Sequence, residues 1–202
     1  GYIDRYGFPF CRGRILDVTE QDKGQYDDEV PVFWCSGAAL CVRRQVFLDC
    51  GGLDEQFFAH MEEIDLCWRM QNAGYTLKVV PRSVVYHLGG GTLPMNHPRK
   101  LFLNYRNNLL MLHKNLGERE YKKVMRVRRL LDGMACSIFL LKGQWANARS
   151  VWEAYSSFRC MKKNYGSSSG GGKLWGIYRG SILYAFFVQK VRFFSQLRPI
   201  GK

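Results

Sequence analysis

Glu62, Glu63 and Asp65 set three carboxylates within four consecutive residues, with His60 just ahead of them and His87 downstream. Paired carboxylates can do general acid and base chemistry, and an imidazole opposite them can add a ligand for a divalent cation. Such groups act only if regular elements hold them in place. From Glu62 onward, Ile64, Cys67, Trp68 and Gln71 recur at helical spacing and Gly74 offers a stop. The spacing therefore predicts an amphipathic helix with the acids in its first turn. Acids there also suit the positive end of the helix dipole, so the same residues fit an ordinary helix start. His87 closes the apolar run Val84-Val85-Tyr86, read as a short strand, and a buried, hydrogen-bonded imidazole is the alternative to a metal ligand there.

The surrounding segments supply the frame. Val32 to Cys35 leads through Ser36-Gly37-Ala38-Ala39 into Leu40-Cys41-Val42, read as a buried strand, and Gln45 to Cys50 reads as a short helix stopped by Gly51-Gly52. Tyr75 to Val80 reads as another strand, and Gly89-Gly90-Gly91 as a connector or a flap beside His87. From Pro98 the pattern turns helical. Phe102, Tyr105, Leu109, Leu112 and Leu116 form one stripe. A second helix, from about Glu118 to Leu141, carries Val127, Leu131, Met134, Ile138 and Leu141 on one side, and Trp145, Ala148, Trp152 and Tyr155 mark a third. Ser167 to Gly172 is a flexible linker by composition, and Leu174 to Leu197 is aromatic and apolar with interspersed Arg and Lys.

A chain of 202 residues with 47% hydrophobic side chains can bury a core, which excludes disorder throughout. Charge is divided sharply. Residues 1–97 hold 9 basic and 13 acidic side chains, and residues 98–202 hold 21 basic and 4 acidic ones. The basic half suits phosphate, an anionic membrane or nucleic acid. Seven cysteines without a C-x-x-C pair argue against a zinc ribbon or a complete disulfide framework, and reduced, mostly buried thiols are expected. No apolar run approaches the roughly 18 residues that span a bilayer. The opening Gly1-Tyr2-Ile3-Asp4 resembles neither a signal peptide nor a translation start, so a fragment of a longer chain is expected.

Several motifs in order carry a resemblance. Ser36-Gly37-Ala38-Ala39 with Arg43-Arg44, Gly51-Gly52-Leu53-Asp54-Glu55 with Phe57-Phe58, Glu62-Glu63-Ile64-Asp65-Leu66-Cys67-Trp68-Arg69, Ala73-Gly74-Tyr75, Val80-Pro81 and Val85-Tyr86-His87 together resemble the C-terminal half of the catalytic domain of glycosyltransferase family 2. The likeness is to bacterial enzymes of the rhamnosyltransferase or galactofuranosyltransferase sort, and it covers about residues 30–116.

The resemblance implies an α/β fold: part of a GT-A sandwich over residues 1–116, then a basic, mostly helical extension over 117–202 with its Ser/Gly linker at 166–172. It implies inverting transfer of a sugar from a nucleotide diphosphate donor to a glycan or lipid-linked acceptor, with a divalent metal, Mg²⁺ or Mn²⁺, on the leaving group. Glu63 stands where the family's base stands, although the family's pair is Glu-Asp and here it is Glu-Glu. Glu62 and Asp65 would support it, Trp34, Gly37 and Ala38 would line the acceptor pocket, and His87 would be a metal ligand. The family's Asp-x-Asp motif does not occur in this chain, so the donor-binding half is expected elsewhere and the chain is expected to be inactive alone. The implied location is the cytoplasmic face of the cell membrane, with peripheral contact through the basic half. A non-catalytic basic module binding nucleic acid or an anionic membrane is the alternative, and it leaves the acid cluster unexplained.

Overall fold

The computed structural model describes residues 1–87, 97–166 and 172–197. The Gly89–Gly91 connector and most of the Ser/Gly linker lie outside the described residues. Among the described residues, seven strands of two or three residues are β1 (Tyr2–Asp4), β2 (Pro9–Phe10), β3 (Arg14–Ile15), β4 (Val18–Thr19), β5 (Pro31–Val32), β6 (Leu77–Lys78) and β7 (Ile177–Tyr178). The same residues form six α-helices, α1 (Arg44–Asp49), α2 (Glu62–Asn72), α3 (Pro98–Asn115), α4 (Glu118–Leu141), α5 (Trp145–Met161) and α6 (Ile182–Phe187). The class is mixed α/β. The chain divides into two units, one built from 1–52, 66–86 and 172–202 and the other from 53–65 and 87–171, so position 116 falls inside the second.

In the first unit β1 is the centre of a three-stranded sheet. It pairs antiparallel with β2 (Tyr2↔Phe10) and parallel with β7 (Ile3↔Ile177). Residues after the Ser/Gly stretch thus complete the sheet begun by the first residues of the chain. Asp4 secures this closure. Its buried carboxylate accepts from the Tyr6 and Phe8 backbone N–H groups at 2.8 and 2.9 Å and from the Ile182 N–H at 2.9 Å, where α6 begins. Gly176 has φ +71°, and a Cβ there would stand 2.3 Å from the Phe33 nitrogen, so only glycine fits. Tyr2, Phe10, Val32, Leu66, Met70 and Phe186 belong to one apolar core.

Three expectations are corrected here. Leu40–Val42 forms no strand: Cys41 is exposed, and the segment lines an open cleft without a ladder partner. Val84–His87 likewise forms no strand, and all four residues are exposed, Tyr86 at 96%. Of Tyr75–Val80 only β6 is a strand, paired with β5. None of the seven cysteines is joined in a disulfide, but only Cys67 is fully buried, and Cys41 and Cys160 are exposed.

The second unit is helical. α5 packs along α3 and against α4. Leu109 to Leu112 of α3 are buried with Val124 and Met125 of α4 and with Val151, Ala154 and Phe158 of α5. Two faces differ from the sequence expectation. On α4 the C-terminal part of the predicted core side is outward, with Met134, Ile138 and Leu141 exposed while Val127 and Leu131 are half-buried, and on α5 Trp145 and Trp152 are exposed. The reason is a buried polar pair. Arg128 and Asp132 are each 2% exposed and turned inward, Arg128 donating to Asp132 Oδ2 (3.2 Å) and to Asn108 Oδ1, while Tyr155 donates to Asp132 (2.7 Å). A guanidinium so matched can be buried, and it carries the opposite, apolar face of α4 into water.

Candidate functional site

The acid cluster sits at the N-terminus of α2, preceded by an unusual turn. Asp54 caps a short 3₁₀ turn over Glu55–Phe57 by accepting from Gln56 N–H at 3.0 Å. Phe58, His60 and Met61 then take φ values of 63°, 68° and 74°. A left-handed backbone costs a non-glycine residue about 1–2 kcal/mol, so three in four residues need outside support.

α3 provides it. Asn107, fully buried, donates from Nδ2 to the carbonyl oxygens of Phe57 (2.9 Å), Ala59 (2.8 Å) and His60 (2.7 Å), and its Oδ1 accepts from Arg106 Nε at 2.9 Å. Arg106 also donates to the carbonyls of Gln56 (3.2 Å) and Phe57 (3.0 Å). Five carbonyl contacts from two side chains define the turn, and the Asp65 N–H, donating to Met61 O at 2.9 Å, opens the helix.

At this helix start, Glu62 Oε2 and Glu63 Oε2 are both buried with no hydrogen-bond partner. Burial, and secondarily the neighbouring Glu62 charge, hold the Glu63 carboxyl above the ordinary carboxylate range, against the backbone N–H groups that favour its ionised form. A carboxylate with a free lone pair and raised basicity is suited to taking a proton from a hydroxyl.

Asp65 is in a different state. It is fully buried, one oxygen accepting from Lys114 Nζ at 2.9 Å and the other from Asn115 Nδ2 at 2.8 Å. Lys114 also reaches Asp54 at 2.6 Å, and Tyr165 donates to Asp54 at 2.9 Å. Burial alone would raise the Asp54 carboxyl, but Lys114, the Gln56 N–H and Tyr165 hold it below its ordinary value. The same network raises the Tyr165 hydroxyl, first by burial and then by Asp54. Lys114 lies between the Phe57 and Tyr165 rings, 4.9 and 5.0 Å from their centroids, so its charge is fixed by two carboxylates and two π faces.

His60 is half-buried and its imidazole is pushed toward the neutral form, first by burial and then by the Lys100 charge. His87 is exposed, and among the described residues no group of three or more His, Cys, Asp or Glu side chains could hold a metal. The described residues therefore do not fit a complete metal site. Trp34, Gly37 and Ala38 belong to the other unit. Trp34 stacks on Gly1 and donates from Nε1 to Tyr2 O at 2.9 Å, while Gly37 and Ala38 form an exposed 3₁₀ turn capped by Ser36. Asn107, Arg106, Lys114 and Asn115 were not singled out from the sequence. The available signal was the run Asn104-Tyr105-Arg106-Asn107-Asn108, because asparagine is a poor helix former without a task.

Parts of the chain are similar to two rhamnosyltransferases. The N-acetylglucosaminyl-diphospho-decaprenol L-rhamnosyltransferase of Mycobacterium tuberculosis is 46% identical over 59 residues, 29% of this chain and 19% of that protein. The rhamnosyltransferase WbbL of Escherichia coli K12 is 40% identical over 72 residues, 36% of this chain and 27% of that protein. The matches thus span about a fifth to a quarter of these relatives' lengths. No family model and no solved structure matches the chain.

Proposed function

We propose that this chain carries the acceptor-side catalytic part of an inverting glycosyltransferase of family 2 with a GT-A fold, using a nucleotide diphosphate sugar and a glycan or lipid-linked acceptor. The observation that carries the reading is Glu63, half-buried at a helix start with one buried, unpartnered oxygen and raised basicity. Its support is the ordered set of motifs together with partial identity to two rhamnosyltransferases.

In the proposed reaction Glu63 Oε2 accepts the proton of the acceptor hydroxyl. The hydroxyl oxygen forms its bond to the anomeric carbon as the bond to the diphosphate breaks on the opposite face. The proton ends on Glu63 and the electron pair leaves with the diphosphate. Glu62 raises the basicity of Glu63 through its charge, and Asp65, held by Lys114 and Asn115, fixes the helix that presents both. Donor binding is assigned to parts of the protein outside this chain. Any divalent cation would take most of its ligands outside the described residues, with His87 offering one imidazole, and no step here is routed through it. Among the described residues no helix is long and apolar enough to cross a membrane, and a peripheral position at the cytoplasmic membrane face suits a lipid-linked acceptor.

Replacing Glu63 by Gln in the full-length enzyme tests the assignment. Loss of transfer by roughly 10²- to 10⁴-fold with donor binding retained is expected. Unchanged turnover would remove Glu63 from the role. His87→Ala with the metal dependence of activity unaltered would remove the imidazole from the metal site.

A further inference from the structure

The hairpin of α4 and α5 carries a surface that the transfer reading does not use. Leu130, Met134, Ile138 and Leu141 follow at helical spacing on α4 and are 70%, 62%, 47% and 88% exposed. On α5, Trp145 and Trp152 stand two turns apart on one face and are 70% and 77% exposed. Between the helices lies a cleft of about 350 Å³ bordered by Arg129 and Arg159. Neither arginine has a carboxylate partner among the described residues, whereas Asp132 in the same cleft is paired with Arg128 and accepts a hydrogen bond from Tyr155. The Glu153 carboxylate on α5 is likewise bound by Arg149.

We infer that this outer face of the α4–α5 hairpin docks on an anionic phospholipid bilayer, with a lipid phosphate held in the cleft between Arg129 and Arg159. Charge complementarity selects this occupant. Long apolar side chains on the outer side of α4, exposed indoles on α5 and, at the cleft edge, guanidiniums without carboxylate partners match the three layers of a bilayer interface: acyl chains, the amphipathic boundary and phosphate. A guanidinium binds phosphate through paired N–H groups, which suits Arg129 and Arg159 to one headgroup. The buried Arg128–Asp132 pair explains why the apolar side of α4 is available, since the polar side occupies the core. α4 carries too many charges to span a bilayer, so the hairpin lies on the surface. The inference gives a place to the membrane contact raised under the transfer reading, yet it concerns binding alone and stands or falls without any transfer chemistry.

The test is co-sedimentation of the protein with vesicles of phosphatidylcholine alone and of phosphatidylcholine mixed with phosphatidylglycerol, without sugar donor. Binding to the anionic vesicles is expected. Arg129→Glu with Arg159→Glu should weaken it by about tenfold or more, since each basic group near such a surface contributes about 1 kcal/mol. Leu130→Ser, Met134→Ser, Ile138→Ser and Leu141→Ser together should abolish it, and because these side chains are exposed the fold should be kept, as circular dichroism would show. Binding indifferent to both sets of changes would overturn the inference, as would no binding at all. Self-association that disappears in the serine variant, with no vesicle binding, would assign the face to a second copy of the chain and overturn it equally. Loss of transfer in Glu63→Gln with vesicle binding intact separates this surface from the proposed site.

Discussion

Asn107 Nδ2 donates to the carbonyl oxygen of His60 at 2.7 Å, and His60 itself is held at φ 68°. The same amide nitrogen reaches Phe57 and Ala59, so a single side chain from α3 fixes the backbone that immediately precedes Glu62 and Glu63. Removing it would take this donor from the Ala59 and His60 carbonyls, leave Phe57 O to Arg106, and loosen the restraint on the left-handed turn. Asn107→Ala is expected to destabilise the fold by about 2 kcal/mol, the cost of buried polar groups losing partners. Asn107→Asp should be worse, because an ionised carboxylate has no donor to offer the three carbonyls. Urea unfolding midpoints of the two variants check the order, and an aspartate variant as stable as the parent would show that the turn is held by other means.

Glu63 should also appear in the pH dependence of stability. Its folded-state pKa is raised by burial and by Glu62, so the native state holds a proton where the unfolded chain has lost it. Stability attributable to this group is then fully present below the unfolded carboxylate pKa and is lost as pH rises through the folded value. Glu63→Gln cannot ionise, so at neutral pH it should be more stable than the parent, with the difference shrinking as the medium is acidified. Transfer should behave oppositely, falling on the acid side along a limb above the ordinary carboxylate range. Thermal melts across that pH window read the first effect and rate profiles the second; equal melting of parent and variant at every pH would argue against the raised value.

The parts of this arrangement legible in the sequence were those set by local chemistry. Gly51-Gly52 and Gly74 marked where helices end, and the acids of α2 stood in a first turn because that is where a helix favours them. What could not be read was long-range polar matching. The partners of Asn107 lie 47 to 50 residues away in the chain, and those of Asp65 lie 49 and 50 away. Hydropathy alone assigned Met134, Ile138 and Leu141 to the core, because periodicity finds an apolar face without knowing that Arg128 and Asp132 neutralise each other on the other side. The short strands of the first unit failed for a related reason. Leu40–Val42 and Val84–His87 are apolar enough for strands but have no neighbouring edge to pair with among the described residues.

Lys114 ties Asp54 to Asp65, and this double contact makes its loss asymmetric. Lys114→Met would leave the fully buried Asp65 with Asn115 as its remaining donor of the two named above, and would remove the main hydrogen bond that lowers Asp54. Breaking a buried ion pair from one side costs about 3–5 kcal/mol. Adding Asp65→Asn to Lys114→Met should recover part of that loss, because the buried charge that lost Lys114 is gone. A double-mutant cycle in urea measures the coupling, and strictly additive losses would mean that the two side chains do not act as a pair.

The Arg128–Asp132 pair allows a sharper separation of burial from pairing. Each group is nearly inaccessible, and Asp132 additionally accepts from Tyr155, whose hydroxyl is raised first by burial and then by the charge of Asp132. Arg128→Met alone should cost about 3–5 kcal/mol, since Asp132 would stay buried and charged beside a tyrosine that can offset only part of it. Replacing both, Arg128→Met with Asp132→Leu, removes the charges together and should lose far less, as buried pairs are often no more stable than apolar side chains of similar volume. If the double variant were as unstable as Arg128→Met, the pair's value would lie in its geometry. The inward turn of α4 would then depend on the hydrogen bonds to Asn108 and Tyr155, and the outward apolar face would depend on them as well.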